Sequence, residues 1–286
     1  MAFEEKYMSK CQFLADRSLG IVTELLLLHP DILPLACHPV QSREYFNTKS
    51  MIYRQLTPEE YSDLAARILY EDNHLLVVNK KVGEIVQGDK TSDEPLTETY
   101  KAFIAQRDAK PGQVFMGLAH RLDRPVSGIV VLAKTSKALE RLNVMFRDGD
   151  VKKIYWALVC NEPSDKEKLL EGMLWRNEKQ NKSYICRPGA ARKDAKLAKL
   201  LYKYVGRTER YFLLEVELLT GRHHQIRCQL SDMGCPIKGD LKYGAPRSNP
   251  DGGISLHARR ITFVHPVRKE PIVVEAPVPS SWPGLK

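Results

Sequence analysis

Ser127-Gly128-Ile129-Val130-Val131-Leu132-Ala133 is an apolar run too short for a buried helix and rich in β-branched side chains. Such a run reads as a strand covered on both faces, so the chain has to build a sheet around it. Directly before it the sequence turns charged, as His120-Arg121-Leu122-Asp123-Arg124-Pro125-Val126. Here Asp123 stands between two guanidinium-bearing residues at the mouth of the strand, a setting that favours the ionised carboxylate. An ionised Asp suits a nucleophile or a base rather than a proton donor. Arg121 lies two residues earlier, and on extended chain the two side chains share a face.

The remaining pattern is strand-rich. Thr57-Pro58-Glu59-Glu60 predicts a helix start, with Thr as cap, Pro at the first position and Glu three residues on. Ile68–Tyr70 and Leu75–Asn79, separated by Glu71-Asp72-Asn73-His74, read as a hairpin. Leu96–Gln106 has helical spacing, and Ser136–Phe146 is an amphipathic helix with Ser136 as its expected cap. Val151–Cys160 and Tyr211–Leu219 alternate as strands, so Tyr155 shares a face with Lys153 and Ala157. Arg222–Met233 is expected to be helical, closed by Gly234 and Pro236. Leu256–Val264 and Pro271–Glu275 are strands on either side of a turn at His265–Glu270. The fold class is therefore α+β. Residues 1–60 differ in texture, with a helix expected near Leu19–Leu28 followed by Pro30, Pro34 and Pro39. They are taken as an extension of unassigned role, and 61–286 as the main domain.

Lys and Arg outnumber Asp and Glu by 44 to 35, a formal charge of +9 that favours a polyanionic partner. The six cysteines form no Cys-x-x-Cys pair, and scattered thiols without a basic leader fit a reducing cytoplasm. Ile21–Leu28, interrupted by Glu24, is too short to span a bilayer, so no membrane association is expected. His223, His224, His257 and His265 include no His-x-x-x-His pair, so no metal site is expected. Gly83, Gly88 and Gly112 do not make a phosphate-binding loop, and no nucleotide cofactor is expected.

His120-Arg121-Leu122-Asp123 followed by Ser127-Gly128 resembles the active-site signature of the RluA branch of RNA pseudouridine synthases, with Val126 where that family usually has Thr. A second block, Gly221-Arg222-His223-His224-Gln225-Ile226-Arg227, then Gly234-Cys235-Pro236-Ile237-Lys238-Gly239-Asp240 and Tyr243-Gly244, is similar to the family's second long motif. Between them, Lys153-Ile154-Tyr155-Trp156-Ala157 resembles its Lys-x-Tyr-x-Ala strand. Asn79-Lys80-Lys81-Val82-Gly83 matches the family's Asn-Lys-Pro-x-Gly except for Lys81. The likeness runs from about Ile68 to Pro279.

The resemblance implies a long, mostly antiparallel mixed sheet with flanking helices and a central RNA-binding cleft, and it makes Ala195–Val205 a strand despite its helical composition. It implies that Asp123 is the essential carboxylate, that Tyr155 is an active-site tyrosine, and that Arg227 holds Asp123. An Arg fork can grip a carboxylate bidentately. Arg222 competes for that place. Arg121, Arg124, Arg222 and Lys153 are the cations expected to meet RNA, with Arg121 helping to displace the target base. His120 is expected to anchor structure. The implied partner is ribosomal or transfer RNA, the implied enzyme a monomer, and the implied isomerisation uses no metal or redox cofactor. Two other classes fit parts of the pattern: a non-catalytic RNA-binding protein that keeps the cleft, and a metal-dependent hydrolase built on the histidines.

Overall fold

The computed structural model describes residues 53–284, apart from 89–90, 111, 188 and 190–191. The helix expected near Leu19–Leu28 and the prolines after it lie outside the described residues, as does most of the 1–60 extension. Helix α1 (Pro58–Ala66) starts as its sequence requires: the Thr57 hydroxyl accepts from the Glu60 amide at 3.2 Å, and the Glu60 carboxylate accepts from the Thr57 amide at 2.9 Å. Residues before 61 also join the described body, since the Tyr53 hydroxyl accepts from the Val114 amide at 2.8 Å.

The described residues form one mixed sheet of eleven strands. In chain order these are β1 (Ile68–Glu71), β2 (Leu75–Lys80), β3 (Gly117–Leu118), β4 (Ser127–Ala133), β5 (Lys152–Val159), β6 (Glu167–Asn177), β7 (Lys182–Ile185), β8 (Lys196–Arg207), β9 (Phe212–Leu218), β10 (Leu256–Val264) and β11 (Pro271–Glu275). Their spatial order is β1-β2-β4-β10-β5-β9-β8-β6-β7, with β11 on β10 and β3 on β4. Every pairing is antiparallel except β4 with β10, where His257 faces Ser127 and Ala258 faces Gly128. All of β4 is buried, as its apolar run predicts.

The parallel contact explains Gly128. Its φ is +112°, and a Cβ there would fall 2.4 Å from the Ala258 carbonyl oxygen and 2.5 Å from the Ala258 nitrogen. Only glycine lets the two backbones meet so closely.

Helix α2 (Leu96–Arg107) buries Leu96, Tyr100, Phe103 and Ile104 in the main core. Helix α3 (Ser136–Asp148) packs on β4, and its cap lies one residue before the expected Ser136: Thr135 has the extended backbone, and its hydroxyl accepts from the Ala138 amide at 3.2 Å. Strands β6 and β7 had no clear pattern. β6 is largely solvent-facing, with Leu169 49% and Met173 41% exposed, so the alternation of a half-buried strand is missing.

The helix expected over Arg222–Met233 is shorter. Helix α4 spans Gln225–Asp232, and His224 before it is left-handed, at φ 51° and ψ 26°. The Gln225 side chain accounts for this. Its oxygen accepts from the Arg222 amide at 3.0 Å and the Thr220 hydroxyl at 2.8 Å, while its nitrogen donates to the Lys199 carbonyl at 3.0 Å. Residues 222–224 are thereby tied into a turn against β8. A small second core of Leu174, Ala198, Cys228 and Tyr243, with Ile185 against it, seats α4 on this end of the sheet.

Candidate active site

The segment carrying Asp123 is irregular, and its backbone carbonyls find partners from several directions. Lys80, at the end of β2 and 1% exposed, donates from Nζ to the carbonyls of Val126 at 2.6 Å, Lys81 at 2.9 Å and Arg124 at 3.1 Å. An ammonium has three donors, and this one is shared among four carbonyls, the fourth being that of Asp123 at 3.4 Å. Burial lowers the Lys80 pKa to about 8. The Gly83 amide also donates to the Arg124 carbonyl, and the Ile254 amide to that of Pro125, each at 3.0 Å. Asp123 is thus presented from a loop fixed at its main chain.

The Asp123 side chain is one-third exposed. Its Oδ2 lies 3.2 Å from an Arg227 Nη and 3.5 Å from His224 Nε2. Oδ1 has no protein partner among the described residues. The partner cation is therefore Arg227, 104 residues along the chain, and not a sequence neighbour. Arg124 instead donates to the Gly83 carbonyl at 3.0 Å and pairs with Asp93. Arg121 is exposed. Arg222 donates to the Leu197 carbonyl at 2.9 Å, so the competition for Asp123 falls to Arg227.

The expected fork is differently used. Arg227 gives Nε and one Nη to Asp240, at 2.6 and 2.9 Å, and reaches Asp123 only with the other Nη. Asp240 is 1% exposed and Arg227 5%. Burial works against the guanidinium charge, but hydrogen bonding and attraction to Asp240, then Asp123, hold its pKa above the usual value.

Tyr155 is placed by sheet register. Gly128, Ala258 and Tyr155 lie in one row across β4, β10 and β5. Burial, and next the charge of Asp123, raise the Tyr155 pKa, so the ring is a neutral phenol at rest. The side chain is buried in the main core. Lys153 is drawn inward: its Nζ lies 5.9 Å from the Phe146 ring centre, and burial lowers its pKa. His120 anchors structure as expected. Its Nε2 accepts from the Val131 amide at 2.9 Å, its ring stacks on Phe146 at 4.6 Å, and burial followed by Lys153 lowers its pKa to about 3.

Three contributors were not singled out from sequence: Lys80, Asp240 and His224. Lys80 and Asp240 sit inside the quoted motifs, but nothing in the order of residues separates a buried pairing from a surface one. His224 was read on a helix face that does not exist. It stacks on His223 at 3.8 Å, and its Nδ1 lies 3.0 Å from the Tyr243 hydroxyl. Burial, then the Arg227 charge, lower its pKa to about 2, keeping it neutral. Among the described residues no cluster of three His, Cys, Asp or Glu could hold a metal, and no helix is long and apolar enough to cross a membrane.

The arrangement is an accessible carboxylate gripped from behind by a guanidinium. It can attack or deprotonate a ligand presented from solvent. The family model for RNA pseudouridylate synthase matches residues 74–232, more than half of the chain. The ribosomal large subunit pseudouridine synthase C of Vibrio vulnificus is 34% identical over 223 residues, covering 76% of this chain and 67% of that protein. Its namesake from Escherichia coli is 32% identical over 236 residues, covering 80% and 70%. The fold is that of human RNA pseudouridylate synthase domain containing 4, with a TM-score of 0.65 and 24% identity over 77% of this chain and 91% of that one. Human RNA pseudouridylate synthase domain containing 1 is also similar, with a TM-score of 0.61 and 22% identity over 80% and 91%. With its sheet, its accessible Asp123 and these matches taken together, the chain belongs to the RNA pseudouridylate synthase family.

Proposed function

We propose that this synthase converts specific uridines of structured RNA to pseudouridine, and that Asp123 is the carboxylate on which the reaction turns. The observation that carries the reading is the split use of Asp123: Oδ2 faces Arg227 and His224, while Oδ1 is open to a substrate. In the isomerisation the bond from the ribose anomeric carbon to the uracil nitrogen breaks and the base turns. A bond from the same carbon to the ring carbon then replaces it, the ring carbon losing a proton and the nitrogen gaining one. Asp123 serves as nucleophile toward the anomeric carbon or as base toward a ribose proton, and both routes use the ionised form. Tyr155 supplies the face on which the uracil rests, and Arg121, free at the surface, takes part in displacing the target base. Ribosomal RNA is the favoured substrate over transfer RNA, because the relatives above carry large-subunit names. A catalytic domain over 61–286 that also takes in the start of α1 and Tyr53, a monomeric state and a cytoplasmic location complete the proposal.

The test is Asp123→Asn, which keeps shape and removes the ionised oxygen. Isomerisation should vanish while RNA affinity changes little. Turnover near that of the parent enzyme would end the assignment, and loss of RNA binding with it would point to a non-catalytic binder's anchor.

A further inference from the structure

We infer that His224 is a positioning residue: as the neutral tautomer with its proton on Nε2, it donates to Oδ2 of Asp123 and so reserves Oδ1 for the substrate. The inference rests on the reading of Asp123 as the essential carboxylate. The argument begins with backbone. A histidine at φ 51° costs on the order of 1 kcal/mol relative to an ordinary conformation, and glycine or asparagine would adopt that shape more readily. The strained position is held by Gln225, and it aims an imidazole at the acidic side chain.

The surroundings then select the tautomer. The Tyr243 hydroxyl accepts from the Ser183 amide at 2.8 Å, which leaves its own proton for His224 Nδ1 at 3.0 Å or for the Ser183 carbonyl at 3.3 Å. On the opposite side of the ring, Nε2 lies 3.5 Å from a carboxylate oxygen. A lone pair there would face negative charge, whereas a proton is attracted to it. Nδ1 is therefore the acceptor for Tyr243, and Nε2 carries the hydrogen. His223 fixes the ring plane by stacking, itself held by the Ser183 hydroxyl at 2.9 Å and the Asn181 side chain at 3.1 Å. Burial first, then Arg227, His223, Lys242 and Arg176, disfavour a second proton on His224, so it is a fixed donor rather than an acid. A donor poised at 3.5 Å without substrate can shorten when the site closes on RNA.

Two substitutions separate positioning from mere structure. Asparagine tolerates the left-handed backbone and places its amide near the level of Nδ1, short of Asp123. Glutamine reaches the level of Nε2. His224→Asn should fold as the parent does and bind RNA with an unchanged KM, while kcat falls on the order of 10- to 100-fold, the loss expected for one hydrogen bond to a charged group. His224→Gln should recover most of that loss. Independently of activity, nitrogen-15 spectra of the parent, with the His224 signals assigned by their disappearance in His224→Gln, should show the proton on Nε2. A proton on Nδ1, or full kcat in His224→Asn, would overturn the inference. If Asp123→Asn were active, the reading of Asp123 would fall instead, whatever the tautomer.

Discussion

Asp240 takes the Nε and Nη fork of Arg227 at 2.6 and 2.9 Å in a setting where both residues are buried. The bidentate pair lies behind the site, and Asp123 receives only the remaining Nη at 3.2 Å. Asp240 thus orients the guanidinium and Arg227 relays that orientation to the loop from which Asp123 projects.

Lysine in place of Arg227 cannot serve both carboxylates, because its ammonium is a point charge without a fork. Arg227→Lys should lower kcat about 100-fold or more. Asp240→Asn removes one partner of a buried ion pair, and such losses cost about 3–5 kcal/mol. Urea unfolding should show that loss for Asp240→Asn, with activity falling too. An Asp240→Asn enzyme of parental stability would mean that the pair does not hold the guanidinium.

Lys80→Met keeps the length of the side chain and removes the ammonium that bonds the Asp123, Arg124 and Val126 carbonyls of the Asp123 loop. The Arg124 and Asp123 carbonyls keep the Gly83 and Val126 amides, but that of Val126 loses its donor, and a buried carbonyl left without a partner costs about 1–3 kcal/mol. The variant should melt earlier and turn over poorly with the target RNA still bound. Unaltered kcat in a destabilised Lys80→Met enzyme would show that the loop keeps its shape without the ammonium.

His120 gives the fold an acid sensitivity whose sign is fixed. Its folded pKa of about 3 lies below the ordinary histidine value, so below about pH 6.5 the unfolded chain takes up a proton that the native ring refuses. The contribution is fully present above about pH 6.5 and declines as pH falls towards 3, by at most about 1.4 kcal/mol per pH unit. His120→Gln should be less stable than the parent at pH 7, and that gap should narrow as pH falls from 6 to 4 in urea titrations at about unit intervals. A gap constant with pH would contradict a neutral His120 bound to the Val131 amide.

Arg121 and Arg124 should separate in salt titrations of RNA binding. Arg121 is exposed, whereas Arg124 is engaged by Asp93 and the Gly83 carbonyl. Arg121→Gln should reduce the log–log salt slope by about 0.7–0.9, the value for one phosphate contact, and Arg124→Gln should leave it nearly unchanged. Equal reductions would show that Arg124 leaves Asp93 when RNA arrives.

Local rules fixed much of this protein. The buried strand at Ser127–Ala133, the capping box at Thr57, the hairpin of β1 and β2, and both C-terminal strands follow from patterns a few residues long. The motifs also held Asp123 and Arg227, which the fold brings into contact. Tertiary structure decided which charges meet. Neighbours along the chain gave the wrong cations for Asp123, because a loop's side chains follow the partners that the fold brings near, here Asp93 for Arg124. Asp240, Lys80 and His224 acquired their places only when strands distant in sequence were joined, since burial and ion pairing depend on separation in space. The left-handed turn at His224 was hidden for the same reason: its cause is a glutamine bonded across to β8, which no helical periodicity records.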